Sequence, residues 1–261
     1  MRDGGGEVPL NFGLAGKLVL VTGGVRGVGA GISAVFADQG ATVVTCARHP
    51  VERLPYEFHL CDVRDEDSVT ALIDAIVERH GRLDVLVNNA GGSPYALAAD
   101  ASPTFLRKIV ELNLLGPLLV SQAANAVMQK QETGGSIVSI SSISGRRPSP
   151  GTVAYGAAKA GVESMTATLA VEWAPKVRVN AVAVGMVETE RSELFYGDAE
   201  SIAAVAATVP LGRLAKPHDI GWVAAFLASD AAAYISGTTM AVHGGGEPPP
   251  YLGASSANKN G

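Results

Sequence analysis

The segment KLVLVTGGVRGVG, residues 17–29, passes from a short apolar run into a turn that is rich in glycine. The run from Lys17 to Val21 predicts a buried strand, and the segment from Ala30 to Asp38 has helical character. Where a strand meets a helix through glycines, bare backbone N–H groups and the positive end of the helix can face a phosphate at short range. The alternative is an ordinary tight turn. At the start of an α/β chain, this arrangement favours a nucleotide site.

Strands and helices alternate along the rest of the chain, which predicts a single α/β domain: a Rossmann-like doubly wound parallel sheet of about seven strands with helices on both faces. We expect the domain to span residues 14–246, between a flexible lead-in (1–13) and an extended tail (247–261). The weakly patterned residues 190–209 are predicted to form a substrate lid. The further predicted strands are 41–46, 56–60, 83–87, 136–140, 177–184 and 238–242, and the further predicted helices are 65–80, 103–130 (one long helix or two abutting ones), 155–173 and 217–227.

Composition and charge exclude several classes of protein. The net charge of -5 and the scattered basic residues argue against a nucleic-acid partner. The first 13 residues lack the order of a signal peptide or anchor, and the uncharged run 112–129 is interrupted by polar residues, so no membrane segment is predicted. Cys46 and Cys61 each end an apolar run and are expected to be buried thiols. These features predict a cytoplasmic protein with no metal site.

The residues after the second predicted strand bear on the choice of nucleotide. Dinucleotide folds read the ribose 2′ position there, and an acidic residue would accept a hydrogen bond from the 2′-hydroxyl of NAD. This chain has Ala47-Arg48-His49 instead, which suits a 2′-phosphate, although Arg48 could also be a solvated loop residue. We therefore expect NADP(H) to be favoured, with NAD(H) as the alternative.

A tyrosine and a lysine four residues apart, Tyr155 and Lys159, share one face of a predicted helix. A free tyrosine has a pKa of about 10, and a cation within ~4 to 6 Å lowers such a value. We therefore expect Lys159 to lower the pKa of Tyr155 toward neutrality. Ser142 would complete a cradle for a carbonyl oxygen if the turn-rich loop 144–151 folds back. Such pairs also occur on many solvated helices, so the pair alone is weak.

The motifs together resemble the short-chain dehydrogenase/reductase family, over about residues 14–246. They are Thr22-Gly-x-x-x-Gly-x-Gly29, Asn88-Asn-Ala-Gly91, Asn113, Ser142 and Tyr155-x-x-x-Lys159, in this order and spacing. Pro210-Leu-Gly-Arg213, Phe226-Leu-Ala-Ser-Asp230 and Ile235-Ser-Gly237 are similar to the 3-oxoacyl-acyl-carrier-protein reductase branch.

The resemblance implies roles for the matching residues. Tyr155 would be the acid/base, Lys159 its pKa partner and a ribose ligand, Ser142 the group that orients the carbonyl (with Ser141 as fallback), and Asn113 the holder of a proton-relay water. The implied cofactor contacts are Gly23, Arg26, Gly27, Val28 and Gly29 at the phosphates and adenosine ribose, Asp62 and Val63 at the adenine, Asn88, Ala90 and Gly91 at the central riboses, and Val187 and Thr189 at the nicotinamide carboxamide.

These features predict an NADP(H)-dependent oxidoreductase that moves hydride between the nicotinamide and a carbonyl or secondary alcohol. The substrate would be a small molecule or an acyl thioester: a 3-oxoacyl thioester, a ketosteroid or another ketone. The alternatives are an NAD-dependent alcohol dehydrogenase of the same family and a non-catalytic cofactor-binding regulatory protein. The low charge of segments 112–129 and 154–169, together with the resemblance, predicts a homotetramer built on these two helices.

Overall fold

Seven strands form one parallel sheet in the computed structural model, which describes residues 11–254. The strands are β1 (Leu18–Thr22), β2 (Thr42–Ala47), β3 (Glu57–Leu60), β4 (Val85–Asn88), β5 (Gly135–Ser142), β6 (Val177–Val184) and β7 (Thr239–Val242). Their order across the sheet is β3-β2-β1-β4-β5-β6-β7, and every neighbouring pair is parallel. The predicted doubly wound parallel sheet is therefore confirmed.

Helices cover both faces of the sheet. They are α1 (Gly27–Asp38), α2 (Glu66–His80), α3 (Pro103–Val110), α4 (Gly116–Met128), α5 (Val153–Glu172), α6 (Glu193–Tyr196), α7 (Ala199–Ala207), α8 (Pro217–Ala228) and α9 (Pro250–Ala254). Apolar residues of α2, α4 and α5 pack on one face, and those of α1 and α8 pack on the other. Within residues 11–254, none of the helices is both long and apolar enough to cross a lipid bilayer.

In two segments the structure adds detail to the predictions, and in a third it differs from them. The predicted helical segment 103–130 is two helices, α3 and α4, joined by the π-helical turn Glu111–Leu115. The predicted lid contains the two short helices α6 and α7. The short helix α9 lies within the tail that the sequence predicts to be extended. Most of the predicted lead-in, residues 1–10, and the end of the tail, residues 255–261, lie outside the described residues.

The connections set where polar side chains collect. Because all seven strands are parallel, their carboxyl ends meet at one edge, which in open α/β sheets is the ligand-binding edge. Residues 48–56, all of which the structure describes, contain no helix between β2 and β3, as the two prolines in this segment predict. The loop after β2 and the loop after β3 are therefore left side by side at this edge.

A half-buried arginine, Arg178 on β6, closes the end of α8. Its guanidinium donates to the carbonyl oxygens of Leu227 (2.7 Å), Ala228 (3.2 Å) and Ser229 (3.1 Å), and to that of Ile235 (3.2 Å). Carbonyls at a helix C-terminus have no partner within the helix, and a cation there also opposes the negative end of the helix dipole. Arg178 therefore anchors α8 to the sheet.

A carboxylate on the edge strand β3 joins that strand to the end of α2. Glu57 lies 2.8 Å from Nε2 of His59, 2.9 Å from Nε2 of His80 and 3.1 Å from Nε of Arg79. Burial raises the pKa of Glu57, but the hydrogen bonds of the two histidines and the charge of Arg79 outweigh it and hold the pKa below its ordinary value. The ionised form of Glu57 therefore stabilises this edge.

Candidate active site

The glycine-rich turn leads directly into the N-terminus of α1. Gly23 and Gly27 have φ angles of 64° and 52°, in the left-handed region that favours glycine. A Cβ on Gly29 would lie 2.2 Å from the Gly23 carbonyl oxygen, so only glycine fits there. Arg26 is the N-cap residue, its side chain makes no capping bond, and Val28 lies in the first turn. The first N–H groups of α1 are thus left for an anion such as a phosphate.

A side chain that the sequence analysis did not assign, Asn89, holds this turn to the end of β4. Its amide donates to the carbonyl oxygens of Thr22 (3.0 Å) and Gly23 (3.1 Å). The Thr22 hydroxyl in turn accepts from the backbone N–H of Ala90 at 3.1 Å. The adjacent asparagines were recognised as a pair, but only the fold shows which of them faces the turn.

A cavity of about 370 Å³ lies where the loops after β2 and β3 meet. It is lined by Arg48, His49, Leu60, Cys61, Asp62, Arg64 and Ser68. Arg48 is exposed, and among the residues that the structure describes its side chain has no hydrogen bond or ion pair. Its charge is nevertheless close enough to contribute to lowering the pKa of Asp62. The cavity therefore offers a cation that is available to an anionic ligand.

A second arginine in this cavity, Arg64, was missed by the sequence analysis. Its guanidinium donates two hydrogen bonds to the Asp62 carboxylate, from Nε to Oδ1 at 2.9 Å and from Nη2 to Oδ2 at 2.5 Å. This hydrogen bond is the largest influence on the pKa of Asp62 and holds it below its ordinary value, against a smaller opposing effect of burial. The next predicted residue, Val63, is buried and packs against Gly116 at the start of α4. Nothing in the sequence distinguishes Arg64 from a solvated arginine.

The Asn88 amide lies inside the fold. It is buried and donates to Ser121 Oγ at 2.8 Å and to the Pro117 carbonyl oxygen at 3.3 Å. The structure therefore uses this amide to join β4 to α4. Its predicted contact with a ribose stays a prediction.

Asn113 lies in the π-helical turn, where its amide is fully buried. Nδ2 donates to the carbonyl oxygens of Gly92 (3.0 Å) and Ile109 (2.9 Å), and Oδ1 accepts from the Gly92 N–H at 2.8 Å. A Cβ on Gly91 would lie 2.7 Å from Asn113 Oδ1 and 3.4 Å from Lys159 Nζ. The π-helical turn thus brings Asn113, Gly91 and Lys159 together at the end of β4.

Tyr155 and Lys159 lie one turn apart on α5, beside the end of β5. The Lys159 side chain is buried, its Nζ donates to the Ile140 carbonyl oxygen at 2.7 Å, and it lies 5.5 Å from the centre of the Tyr155 ring. The Ser142 hydroxyl lies close enough to the Tyr155 phenol to oppose the rise in its pKa. The adjacent Ser141 points elsewhere, with Oγ 3.1 Å from the Lys159 carbonyl oxygen. Of the two serines, Ser142 is the one that meets Tyr155.

Burial dominates the protonation of this pair. It raises the pKa of Tyr155, against the opposing effect of the hydrogen bond from Ser142, and it lowers the pKa of Lys159 to about 8. The expectation that Lys159 lowers the pKa of Tyr155 toward neutrality is therefore not met in this structure. The reason is that the ammonium is turned to the Ile140 carbonyl and both groups are withdrawn from water, which favours their neutral forms.

The loop after β6 brings the last predicted residues to the same edge. Val187 forms an isolated bridge with Ala215, and the Thr189 N–H donates to Ser192 Oγ at 2.8 Å. The Thr189 methyl group would be 3.7 Å from a Cβ on Gly27, so this loop passes over the glycine-rich turn. Burial raises the pKa of Tyr196 on α6, and the backbone N–H of Val187 opposes this rise, so the Tyr196 phenol is close to this loop. The sequence analysis places Tyr196 only within the predicted lid, residues 190–209.

Known proteins are similar to this chain over nearly its whole length. A family model described as Enoyl-(Acyl carrier protein) reductase matches residues 23–247. The chain is 36% identical to the 3-oxoacyl-[acyl-carrier-protein] reductase FabG of Thermotoga maritima over 244 residues, covering 89% of this chain and 98% of the relative. It is 38% identical to L-fucose dehydrogenase of Bos taurus, covering 89% and 90%. The ligand-free aldohexose dehydrogenase of Thermoplasma acidophilum superposes with a TM-score of 0.86 at 33% identity, covering 90% and 96%.

Proposed function

The chain belongs to the short-chain dehydrogenase/reductase family, and from this premise we propose that it is an NADP(H)-dependent reductase of a ketone or 3-oxoacyl thioester. Its relatives are dehydrogenases and reductases, so the chain is an oxidoreductase that uses a nicotinamide cofactor. We propose in addition the preference for NADP(H), the carbonyl substrate and the role of each residue. Residues 14–246 are proposed to be the catalytic domain, with residues 190–209 as its lid.

The observation that carries the proposal is the meeting of Ser142, Tyr155, Lys159 and Asn113 at one edge of the sheet. The cofactor supplies or accepts the hydride when it is bound. We assign Ser142 and Tyr155 to the substrate oxygen, because their hydroxyl groups lie together at the end of β5. Asn113 fixes the backbone at Gly92, and we propose that it also holds a water molecule for proton transfer. Lys159 would contact the nicotinamide ribose from its buried position on α5.

The protonation of the pair suits reduction. A raised pKa keeps the Tyr155 phenol protonated at neutral pH, so it can donate its proton to the oxygen of a carbonyl that is being reduced. Lys159, with a pKa of about 8, is mostly an ammonium at pH 7 and so places a cation one helical turn from the phenol. A general acid in this position contributes roughly 10² to 10⁴ in rate.

The cavity at β2 and β3 supports NADP(H). A 2′-phosphate carries nearly two negative charges, and Arg48 is a cation there without a protein partner among the described residues. A charge-assisted bond from Arg48 should be worth about 1.5 to 3 kcal/mol, or roughly ten- to a hundredfold in affinity. Arg64 is already neutralised by Asp62, so we assign the preference to Arg48. NAD(H) remains the alternative cofactor.

The substrate class is proposed from the lid and from the relatives. Leu194 and Phe195 on α6 are 75% and 67% exposed, which provides apolar surface beside the site. Among the relatives are an acyl-thioester reductase and two sugar dehydrogenases, by their names. An apolar lid favours a ketone or an acyl thioester over a sugar.

The assembly is proposed to be a cytoplasmic homotetramer. On the outer side of α5, Val153 is 52% exposed and lines, with Gly156, Ala157 and Ala160, a groove of about 530 Å³. Leu115, the last residue of the π-helical turn before α4, is 45% exposed. Apolar surface of this kind on two adjacent helices is typical of a subunit contact.

The test is oxidation of NADPH with a panel of ketoacyl thioesters, ketosteroids, quinones, small ketones and aldoses. We expect turnover on at least one of the first four classes, and loss of most turnover in Tyr155→Phe with NADPH binding retained. Normal turnover in Tyr155→Phe would refute the assigned acid. Failure of the wild type on the whole panel would favour a non-catalytic cofactor-binding protein.

The cofactor preference is tested by kcat/KM for NADPH and NADH. We expect the wild type to prefer NADPH by a modest factor and Arg48→Asp to lose or reverse that preference. Arg107→Ala is the matched control, because Arg107 is an exposed arginine on α3 that does not line the cavity at β2 and β3. Better use of NADH by the wild type would contradict the role of Arg48.

A further inference from the structure

Next to the site, the side chains of Ser141, Glu163 and Arg146 form a network of hydrogen bonds. The Ser141 hydroxyl lies 3.1 Å from the Lys159 carbonyl oxygen and 3.1 Å from Glu163 Oε1, and its single proton is shared between these two acceptors. Glu163 also accepts from Arg146 Nε, at 3.0 Å by Oε1 and 2.8 Å by Oε2. Arg146 Nη2 donates onward to the Thr239 carbonyl oxygen on β7 at 3.2 Å.

The network joins the two segments that carry the reacting groups. Ser141 is adjacent to Ser142 on β5, and Glu163 is one helical turn after Lys159 on α5. Arg146 belongs to the loop that follows Ser142, and its contact with β7 fixes this loop from the other side. The Glu163 carboxylate therefore connects β5, the loop after it and α5.

The two arginines of this loop, Arg146 and Arg147, are each paired with a carboxylate of the same chain. A pair of exposed arginines after Ser142 could have received an acidic carrier or a phosphate of coenzyme A. In the structure Arg146 is paired with Glu163, and Arg147 is paired with Glu247 at 2.7 Å. Both charges are compensated inside the chain, so Arg146 is available for a structural task.

We propose that Glu163 is a positioning residue for the reaction: through Ser141 and Arg146 it fixes Ser142 beside Tyr155 and fixes Lys159 on α5. This inference rests on the proposed function of the site. Glu163 touches neither substrate nor cofactor in this scheme. Its effect is on alignment, and misplacement of a catalytic group by about 1 Å can cost roughly 10²-fold in rate.

The experiment compares three variants of the full-length protein on the best substrate of the panel. Glu163→Ala removes the carboxylate, and Glu163→Gln keeps its size and one acceptor oxygen. Glu247→Ala is the matched control, since Glu247 pairs with the arginine next to Arg146 but touches none of the reacting groups. We expect kcat to fall roughly 10- to 100-fold in Glu163→Ala, less in Glu163→Gln, and to be unchanged in Glu247→Ala. The NADPH dissociation constant should change by less than about threefold in all three.

A readout without turnover separates this inference from the proposed function. Tyr155 is titrated by difference absorbance of its phenolate, with each variant compared with the same variant carrying Tyr155→Phe. Since the hydrogen bond from Ser142 opposes the raised pKa of Tyr155, misalignment of Ser142 in Glu163→Ala should move the titration to higher pH. Glu163→Gln should restore most of the wild-type curve.

Two results would overturn the inference. One is equal loss of kcat in Glu163→Ala and Glu247→Ala, which would indicate general loosening of the loop. The other is an unchanged Tyr155 titration in Glu163→Ala together with unchanged kcat. A wild type without turnover, combined with a shifted titration in Glu163→Ala alone, would instead refute the proposed function and leave the positioning role standing.

Discussion

Replacement of the buried Lys159 by methionine should stabilise the protein while abolishing its activity. The Lys159 ammonium has one hydrogen-bond acceptor, the Ile140 carbonyl oxygen, among the described residues. Burial lowers its pKa from 10.5 to about 8, which corresponds to a cost of about 3 kcal/mol for holding the charged form in the fold. Methionine removes that cost but leaves the Ile140 carbonyl without its donor, a loss of about 1 kcal/mol. The net gain in the free energy of unfolding at pH 7 should be about 2 kcal/mol.

The pH dependence identifies the cause of this gain. The folded-state pKa of Lys159 is below its unfolded value, so the folded wild type binds fewer protons between pH 8 and 10.5, and its stability rises with pH in that window. Lys159→Met cannot show this rise. The advantage of the variant should therefore be complete below about pH 8 and should shrink as the pH approaches 10.5.

The assay is chemical or thermal unfolding without cofactor at fixed protein concentration, from pH 7 to 10.5. A gain of about 2 kcal/mol corresponds to a rise in Tm of roughly 4 to 8 °C for a domain of this size. Lys130→Met, which removes an exposed lysine, is the matched control and should follow the wild type at every pH. A stability difference between Lys159→Met and the wild type that is constant with pH, or a variant that is less stable at pH 7, would refute the argument.

Three further predictions concern the fold and the assembly. Arg178→Met should lower the free energy of unfolding by about 2 to 4 kcal/mol, because it leaves the carbonyls at the end of α8 unpaired. Urea unfolding measures this change, and an unchanged midpoint of the urea transition would contradict the prediction. Burial raises the pKa of Glu57, but the hydrogen bonds of His59 and His80 hold it below the ordinary value of 4.5. The wild type should therefore be more stable than Glu57→Gln above about pH 4.5, and this advantage should be lost as the pH falls through the lowered pKa. An advantage that stays constant as the pH is lowered until the wild type unfolds would refute that assignment. Light scattering should give the mass of four copies of the 26.7 kDa chain, and a monomer at micromolar concentration would contradict the proposed tetramer.

The sequence by itself determined the class of fold and the candidate residues whose partners are near in the chain. The strand, glycine turn and helix at residues 17–38, and the spacing of Tyr155 and Lys159 on α5, follow from local periodicity, because residues four apart on a helix share a face wherever the helix is placed. The short connection from β2 to β3 was likewise predictable, since two prolines leave no room for a crossover helix.

Only the tertiary structure decided how the polar groups pair and how they ionise. Asn113 bonds to Gly92, 21 residues away, and Arg146 bonds to Glu163, 17 residues away across a strand end, so neither pair is visible as a spacing. The sequence analysis already selects Ser142, but the contacts of Ser141 with the Lys159 carbonyl oxygen and with Glu163 are visible only in the fold. The pKa of Tyr155 was mispredicted because the sequence shows a neighbouring cation but not the loss of water around it. Burial is a property of packed layers, and it outweighs the nearby charge when that charge is itself withdrawn from solvent and turned to a carbonyl.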